Sequence, residues 1–475
     1  MRIVGIDQGT TSTRALVVNP YGKLEVVHSV EHQQIYPQNG WVEHDPEELV
    51  RNIQACVDAA GKIEAIGIDN QGESCLAWDA ETKKALSPVI VWQDNRTLVD
   101  LEVLRAQGVE AETLARAGLP LSAYFSASKL GWILRNLPAA QEARARGTLR
   151  LGTTDAFFLD RLTGRFVTDV TTASRTSLMK LDGLCWDQTL CDIFGVPIEC
   201  LPCIVPTTGD FGSMETAAHG PVPVTASVVD QQAALYGFGC RRKGQAKVTF
   251  GTGAFALMVT EDEIVNRPEL GLLPTVAWQL DGHDPVYAVD GGVFTASAAL
   301  NWAKSLGLFQ SYDDINAFDG EPAIESGLVF VPALAGLGCP HWEPRARGVW
   351  LGLSLEHTKA QMVQSVLEGV ALRAAEVVQA MDRCIPLSDE LLIDGGMSKN
   401  PYFTQFLANV TGKVIRSARM PELTGLGTIL LASDCAGGKF EAATDFHACS
   451  PHGLIDRYHQ VFDAAVTISR NGVIT

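Results

Sequence analysis

Ile3-Val4-Gly5-Ile6-Asp7-Gln8-Gly9-Thr10-Thr11-Ser12, followed by Arg14-Ala15-Leu16-Val17-Val18, is the stretch that decides the fold. Ile3–Asp7 is an apolar run that reads as a buried strand, Gln8–Ser12 as a turn, and Arg14–Val18 as a returning strand. A second turn at Asn19-Pro20-Tyr21-Gly22 leads to a third strand over Leu24–His28. Asp45 then has the position of a helix N-cap, with Pro46 at the first helical position and Glu48 three residues past the cap, and Leu49, Ile53 and Val57 recur at helical spacing. Ile63–Asp69 follows as a further buried strand. A meander joined to a strand–helix–strand unit predicts a mixed sheet with helical cover.

Outward from this stretch, the second half of the chain restarts the pattern. Ala246–Phe250 reads as a strand, Gly251-Thr252-Gly253 as a turn and Phe255–Thr260 as a returning strand. Thr358 and Gln361 form a capping-box pair that opens a long helix, with Met362, Val366, Val370, Ala374, Val377 and Met381 on one face. The strand Leu391–Asp394 runs into Gly395-Gly396. Two halves that both begin strand, Gly/Thr turn, strand predict two related lobes, joined near Gly237–Gly244 and divided as 1–240 and 241–475. The length of 475 residues also exceeds one ordinary core.

A formal net charge of −18 disfavours nucleic acid as the main partner, and no apolar run approaches the ~20 residues that a membrane span needs. The N-terminus enters a strand at once, without a signal-peptide pattern. The 11 cysteines are scattered, with Cys200 and Cys203 as the nearest pair and no companion ligands, so they read as reduced thiols suited to the cytoplasm.

Five polar groups have a chemistry-bearing context. Glycine turns bring backbone N–H groups to phosphate oxygens, so Gly9 with Thr10, Thr11 and Ser12, and Gly251–Gly253 with Thr252, are candidate phosphate loops. Asp7, at a strand end, suits Mg²⁺, directly or through water. Asp394-Gly395-Gly396, at the end of a buried strand, leaves room for a base or ribose. Asp230, between Val228-Val229 and Ala233-Ala234-Leu235, is a carboxylate that burial would push toward general-base values. Asn70-Gln71-Gly72-Glu73 and Tyr124 offer hydrogen-bonding groups. Taken singly, each also reads as structure: hairpin turns, a strand-to-helix turn, an N-cap aspartate, a loop and a core tyrosine.

Taken together, the motifs resemble the FGGY carbohydrate kinases over almost the full length. The resemblance rests on Ile6–Ser12, Ile35-Tyr36-Pro37, Gly40–Pro46, Val91-Trp92-Gln93-Asp94 with Arg96-Thr97, and Tyr124-Phe125-Ser126 with Lys129-Leu130 and Trp132. It continues through Asp230–Leu235, Gly251-Thr252-Gly253, Pro332 with Gly336-Leu337-Gly338, Pro340 and Trp342, and Asp394-Gly395-Gly396. It implies a two-lobed α/β fold of the actin-like, ribonuclease H-like type, with ATP and Mg²⁺ in the cleft and a small polyol or sugar as phosphoryl acceptor. It further implies a cytoplasmic homo-oligomer, dimer or tetramer. By the same resemblance Thr10, Thr11, Ser12 and Arg14 contact the nucleotide on one side and Gly251 and Thr252 on the other. Ser297, Asn301, Gly395, Gly396 and Asn400 fall at the adenosine site. Asp230 matches the catalytic base, Gln231, Glu73 and Tyr124 the polyol contacts, and Asp7 the carboxylate near Mg²⁺.

One departure bears on the substrate. Within the family, glycerol-phosphorylating members have arginine where this chain has Gly72, so several donors are lost. That leaves open a four- or five-carbon polyol or ketose, or glycerol with water filling the gap. An actin-like ATPase and an inactive sugar sensor are the readings from other functional classes. The segment Ala217–Pro223 lacks the Gly- and Arg-containing loop of sugar-bisphosphate regulation, so none of that kind is expected.

Overall fold

The computed structural model describes residues 2–19, 22–218, 220–418, 422–433, 442–446 and 452–471. Pro20 and Tyr21 of the predicted second turn, and His219 of the 217–223 segment, lie outside the described residues.

The opening stretch folds as a meander of β1 (Ile3–Gln8), β2 (Ser12–Val18) and β3 (Leu24–Glu31). β1 is buried along its whole length because Ile3, Val4 and Ile6 face packed layers on both sides. α1 (Pro46–Ala59) covers one face of this meander with Leu49, Ile53 and Val57. Asp45 caps α1 by accepting from Glu47 N at 2.9 Å, so the capping box that the Asp45–Glu48 spacing predicts does not form; the Glu48 carboxylate accepts from Gln33 N instead. β4 (Ala65–Asn70), β5 (Ser213–Thr216) and β6 (Gly220–Val229) complete a six-stranded sheet in the order β5-β6-β4-β1-β2-β3. Within it β1, β4 and β6 run parallel.

The second half builds the same plan. β7 (Ala246–Phe250), β8 (Ala254–Glu261), β9 (Leu273–Trp278) and β10 (Val286–Val293) form an antiparallel block in which β10 inserts between β8 and β9, and β11 (Glu390–Gly395) and β12 (Val414–Ala418) add parallel to β7. β13 (Ala442–Phe446) closes the edge antiparallel, which gives the order β9-β10-β8-β7-β11-β12-β13. Both sheets therefore place antiparallel strands on one side of a central strand, two parallel strands on the other and an antiparallel strand at that edge.

Five helices place these sheets around the cleft. α2 (Asp230–Gly237) leaves the end of β6, and α3 (Ser297–Ser305) follows β10. α4 (Lys359–Cys384) has the expected Thr358–Gln361 capping box and is buried almost all round against the second sheet. α5 (Pro401–Thr411) packs beside it. α6 (Leu423–Ala432) comes from the second half of the chain but lies on the first sheet, over β1, β4 and β6. The approach is close because a Cβ on Gly5 or Gly67 would meet α6 backbone oxygens, and one on Gly427 would overlap the α2 backbone at Ala233. No helix among the described residues is long and apolar enough to cross a membrane.

Candidate active site

Parallel pairing brings the strand ends of the first sheet together. Asp7 stands opposite Asp69 and Gln8 opposite Asn70, while Val229 also stands opposite Asn70. The Gly9–Ser12 turn, Gln71-Gly72-Glu73 and Asp230 therefore share one edge, where open α/β sheets bind ligands. In the second sheet Phe250 is paired with Gly395, which sets the Gly251–Gly253 turn beside Gly395-Gly396. The α3 N-terminus joins them through Ala296 N to Thr252 O at 2.9 Å and Ser297 N to Gly251 O at 3.1 Å.

A cavity of about 130 Å³ lies between the two edges, lined by Thr10, Gly72, Glu73, Tyr124, Asp230 and Gln231 among others. Glu73 sits in the left-handed region at φ 61°, a conformation that a non-glycine residue holds only when its surroundings fix it. Its carbonyl accepts from Ser126 Oγ at 2.9 Å, and its carboxylate accepts from Arg175 Nε at 2.7 Å. Arg175 also donates to Asp290 on β10 at 2.9 Å, so a buried guanidinium joins the two sheets through the cavity wall. Tyr124 stacks edge-on against Trp92, and the buried Lys129 holds the Tyr124 carbonyl at 2.8 Å.

Asp230 is the first residue of α2, and its Oδ1 accepts from the Gln231 backbone N–H at 2.6 Å. Its pKa is pushed up to about 7, chiefly by burial and then by the negative charges of Glu73 and Asp7; Lys247 and the Gln231 N–H oppose the shift. Gln231 presents its side-chain oxygen to Lys247 Nζ at 2.5 Å, and Lys247 also donates to Thr249 Oγ1 at 3.0 Å.

The first loop is braced from behind. Trp92 Nε1 donates to Thr10 Oγ1 at 3.1 Å, which leaves the Thr10 hydroxyl hydrogen free, and Gln34 Nε2 donates to the Thr10 carbonyl at 2.6 Å. Thr11, Gly251, Thr252 and Gly396 are exposed toward the cleft, and Ser12 partly so. Cβ atoms on Gly9, Gly251 and Gly396 would meet no protein atom closer than 3.6, 3.8 and 4.0 Å, and none of the three has a positive φ. Neither packing nor backbone conformation calls for glycine there, and the three positions leave bare backbone open to the cleft. Gly395 differs: its φ is 89° and a side chain would run into Phe250, so its role is conformational.

The remaining anticipated residues divide. Ser297 faces Gly396, within 4.0 Å of its Cβ position. Asn301 accepts from the Tyr312 hydroxyl on the exposed side of α3. Asn400 is the N-cap of α5, accepting from Phe403 N and donating to Ile315 O, both at 2.8 Å, so its side chain is committed to the fold at both ends. Arg14 bridges Asp7 and Glu422, each at 2.5 Å, and so links the first loop's strand to α6.

Asp69, opposite Asp7, is fully buried; it accepts from Thr428 Oγ1 at 2.6 Å and its other oxygen has no partner. Burial and Asp7 beside it hold its pKa well above the usual carboxylate range. No group of three or more His, Cys, Asp or Glu among the described residues has the geometry to hold a metal by itself. One or two carboxylates with water and phosphate oxygens is the donor set Mg²⁺ takes in nucleotide sites, and Asp7 beside an orphaned buried carboxylate oxygen fits it.

Arg175, Lys247, Asp290 and Asp69 were not singled out from sequence. The available signal was a charged residue inside a run of small or apolar residues, as in Thr171-Thr172-Ala173-Ser174-Arg175 and Ala246-Lys247-Val248, since lone charges in such runs need buried partners.

Comparison with known proteins agrees with this geometry. The family model for the N-terminal domain of the FGGY family of carbohydrate kinases matches residues 2–237, and that for the C-terminal domain matches 246–434. A glycerol kinase of Bdellovibrio bacteriovorus is 40% identical over 451 residues, which covers 92% of this chain and 90% of the relative. The crystal structure of Plasmodium falciparum glycerol kinase with ADP superposes with a TM-score of 0.90 at 29% identity over 98% of both chains. Gluconate kinase from Lactobacillus acidophilus shares the fold, with a TM-score of 0.88 at 22% identity over 100% of this chain and 98% of that one. The chain belongs to the FGGY family of carbohydrate kinases and is a two-lobed, ATP-using phosphotransferase.

Proposed function

We propose that the enzyme transfers the γ-phosphoryl group of ATP to a terminal hydroxyl of a small polyol, with glycerol first among substrates and glycerol 3-phosphate as product. The observation that carries the reading is Asp230: a carboxylate at a strand end, on the cavity wall, with one oxygen held by a backbone N–H and the other free for a hydroxyl proton. Glu73, Tyr124 and Gln231 hold the polyol. As its hydroxyl oxygen bonds to the γ-phosphorus and the bond to the β–γ bridging oxygen breaks, Asp230 receives the hydroxyl proton. Thr10, Thr11 and Ser12 face the phosphates from the first lobe, and Gly251 and Thr252 from the second, with donors fixed in advance. Ser297, Asn301 and Gly396 border the adenosine, supported by the Gly395 turn and the Asn400 cap. Mg²⁺, held through Asp7, Asp69 and water, would neutralise phosphate charge. The hinge falls at the change of lobe near residue 240.

A four- or five-carbon acceptor is the second reading, favoured by Gly72 on the cavity wall. The gap is smaller than the loss of an arginine side chain implies, because Val229 Cγ1 lies 3.1 Å from where a Cβ would start. The deciding experiment is MgATP-dependent ADP release against glycerol, erythritol, threitol, dihydroxyacetone, xylulose, ribulose and xylitol, with mass spectrometry of the product. Efficient glycerol turnover supports the first reading. Turnover of a longer compound with poor glycerol activity replaces it with the second. Silence toward all of them removes the polyol reading.

A further inference from the structure

We infer that Lys247 is a positioning residue for the polyol: it grips the side-chain oxygen of Gln231, turns the Gln231 NH₂ group toward the acceptor hydroxyls, and fastens that amide to the strand bearing the second phosphate loop. The inference rests on the polyol reading above. An ammonium carries donors only, so the Gln231 atom 2.5 Å from Lys247 Nζ is the oxygen, which settles an amide orientation that shape alone leaves open. Gln231 lines the cavity, and the side-chain hydrogen bond it makes among the described residues is through its oxygen, to Lys247. The neighbouring polyol oxygen is thereby required to accept, which leaves its proton pointing elsewhere, toward Asp230.

Lys247 itself is 0% exposed, and both of its hydrogen bonds among the described residues go to neutral oxygens, of Gln231 and Thr249. A buried ammonium held by two neutral oxygens is costly to keep, so a merely structural strand position would be filled by an apolar residue. Its second bond, to Thr249 Oγ1, continues to Asp394 at the end of β11. Lys247 thus touches the Gln231 amide and the strand that leads into the Gly251–Gly253 turn at once. The charged and titratable groups facing it are Asp230 on α2, Asp290 on β10, Asp394 on β11 and Cys240. Asp230 in turn faces Glu73 and Asp7, so removing the lysine charge leaves Asp230 among carboxylates alone.

The test uses the full chain and four variants: K247M, Q231L, the double K247M/Q231L and Q231E. Q231E keeps an oxygen for Lys247 while deleting the donor, so it separates positioning from folding. Binding is measured by titration calorimetry with glycerol in the absence of nucleotide, turnover by ADP release across pH, and folding by thermal midpoint. Each single variant is expected to weaken glycerol binding about tenfold, the scale of one hydrogen bond to a charged or oriented partner. The double variant should be no weaker than the worse single, because both act through one contact. The acid limb of the kcat/KM profile should move to higher pH in K247M and stay in place in Q231L, and Q231E should keep the parent thermal midpoint. Unchanged binding and an unmoved acid limb in K247M overturn the inference. So do normal binding in Q231E, and additive losses in the double variant that track a fall in thermal midpoint. A parent enzyme without polyol-dependent ADP release overturns the polyol reading and this inference with it; an active parent with an indifferent K247M overturns this inference alone.

Discussion

The two sheets share one strand plan but present opposite chemistry at their cleft edges. The first ends in side chains: Asp7, Glu73 and Asp230, and burial, then the two neighbouring charges, raises the pKa of Asp230. The second ends in backbone: Gly251, Gly253, Gly395 and Gly396, with the N-terminus of α3 bonded to the carbonyls of the Gly251–Gly253 turn. A small polyol has only hydroxyls, each of which needs a matched donor or acceptor, and side chains supply these. A triphosphate and a flat base are satisfied by N–H groups and room. The same scaffold can therefore serve unlike ligands by changing what sits at four or five strand ends, without altering the sheet order.

The largest expected effect tests the side-chain edge. Asp230→Asn should lower kcat by about 10³-fold, within the range of general-base contributions, while ADP affinity is retained. A variant within tenfold of the parent would strip Asp230 of its role and with it the contrast between the edges. Next, Arg175→Met strands Glu73 and Asp290 as buried charges and should cost about 3 kcal/mol in urea unfolding. A loss below about 1 kcal/mol would mean that the two carboxylates take up protons instead. The backbone edge is probed by a pair. Gly395→Ala meets a positive φ and should cost about 2 kcal/mol in stability, whereas Gly396→Ala should leave the thermal midpoint alone and raise the KM for ATP several-fold. Equal behaviour of the two would erase the distinction between a conformational and a ligand-facing glycine. Smallest is the pH effect. Asp230 accepts a proton only when ionised, so kcat/KM should be level above about pH 7 and fall up to tenfold per unit below it. A profile flat to pH 5 would place the base elsewhere.

Much of this was legible in the sequence because it is local. Strand periods, the Gly/Thr turns and the Thr358–Gln361 cap are written within a few residues of one another, and β7 and α4 fall where their patterns put them. Asp230 was legible from its apolar flanks, and several longer motifs from their order along the chain. What escaped is long-range. Arg175 is explained only by Glu73 and Asp290, 102 and 115 residues away. Lys247 looks like a misplaced charge until Gln231 is seen beside it. Asp45 reached the Glu47 N–H rather than closing a box with Glu48, because Glu48 found Gln33 across the fold. The capping of α5 by Asn400 and its bond to the distant Ile315 carbonyl were likewise not readable locally.

The seating of α6 on the first sheet has a consequence for biosynthesis. When the ribosome has released residues 1–240, the strands of that sheet exist, but the helix that covers Gly5 and Gly67 on β1 and β4 has not been made. An apolar face must wait through nearly two hundred further residues, and the first lobe closes only after most of the second has emerged. A chain truncated at the lobe boundary would leave that face bare and prone to association, so the two lobes are separable as architecture but not as products of translation.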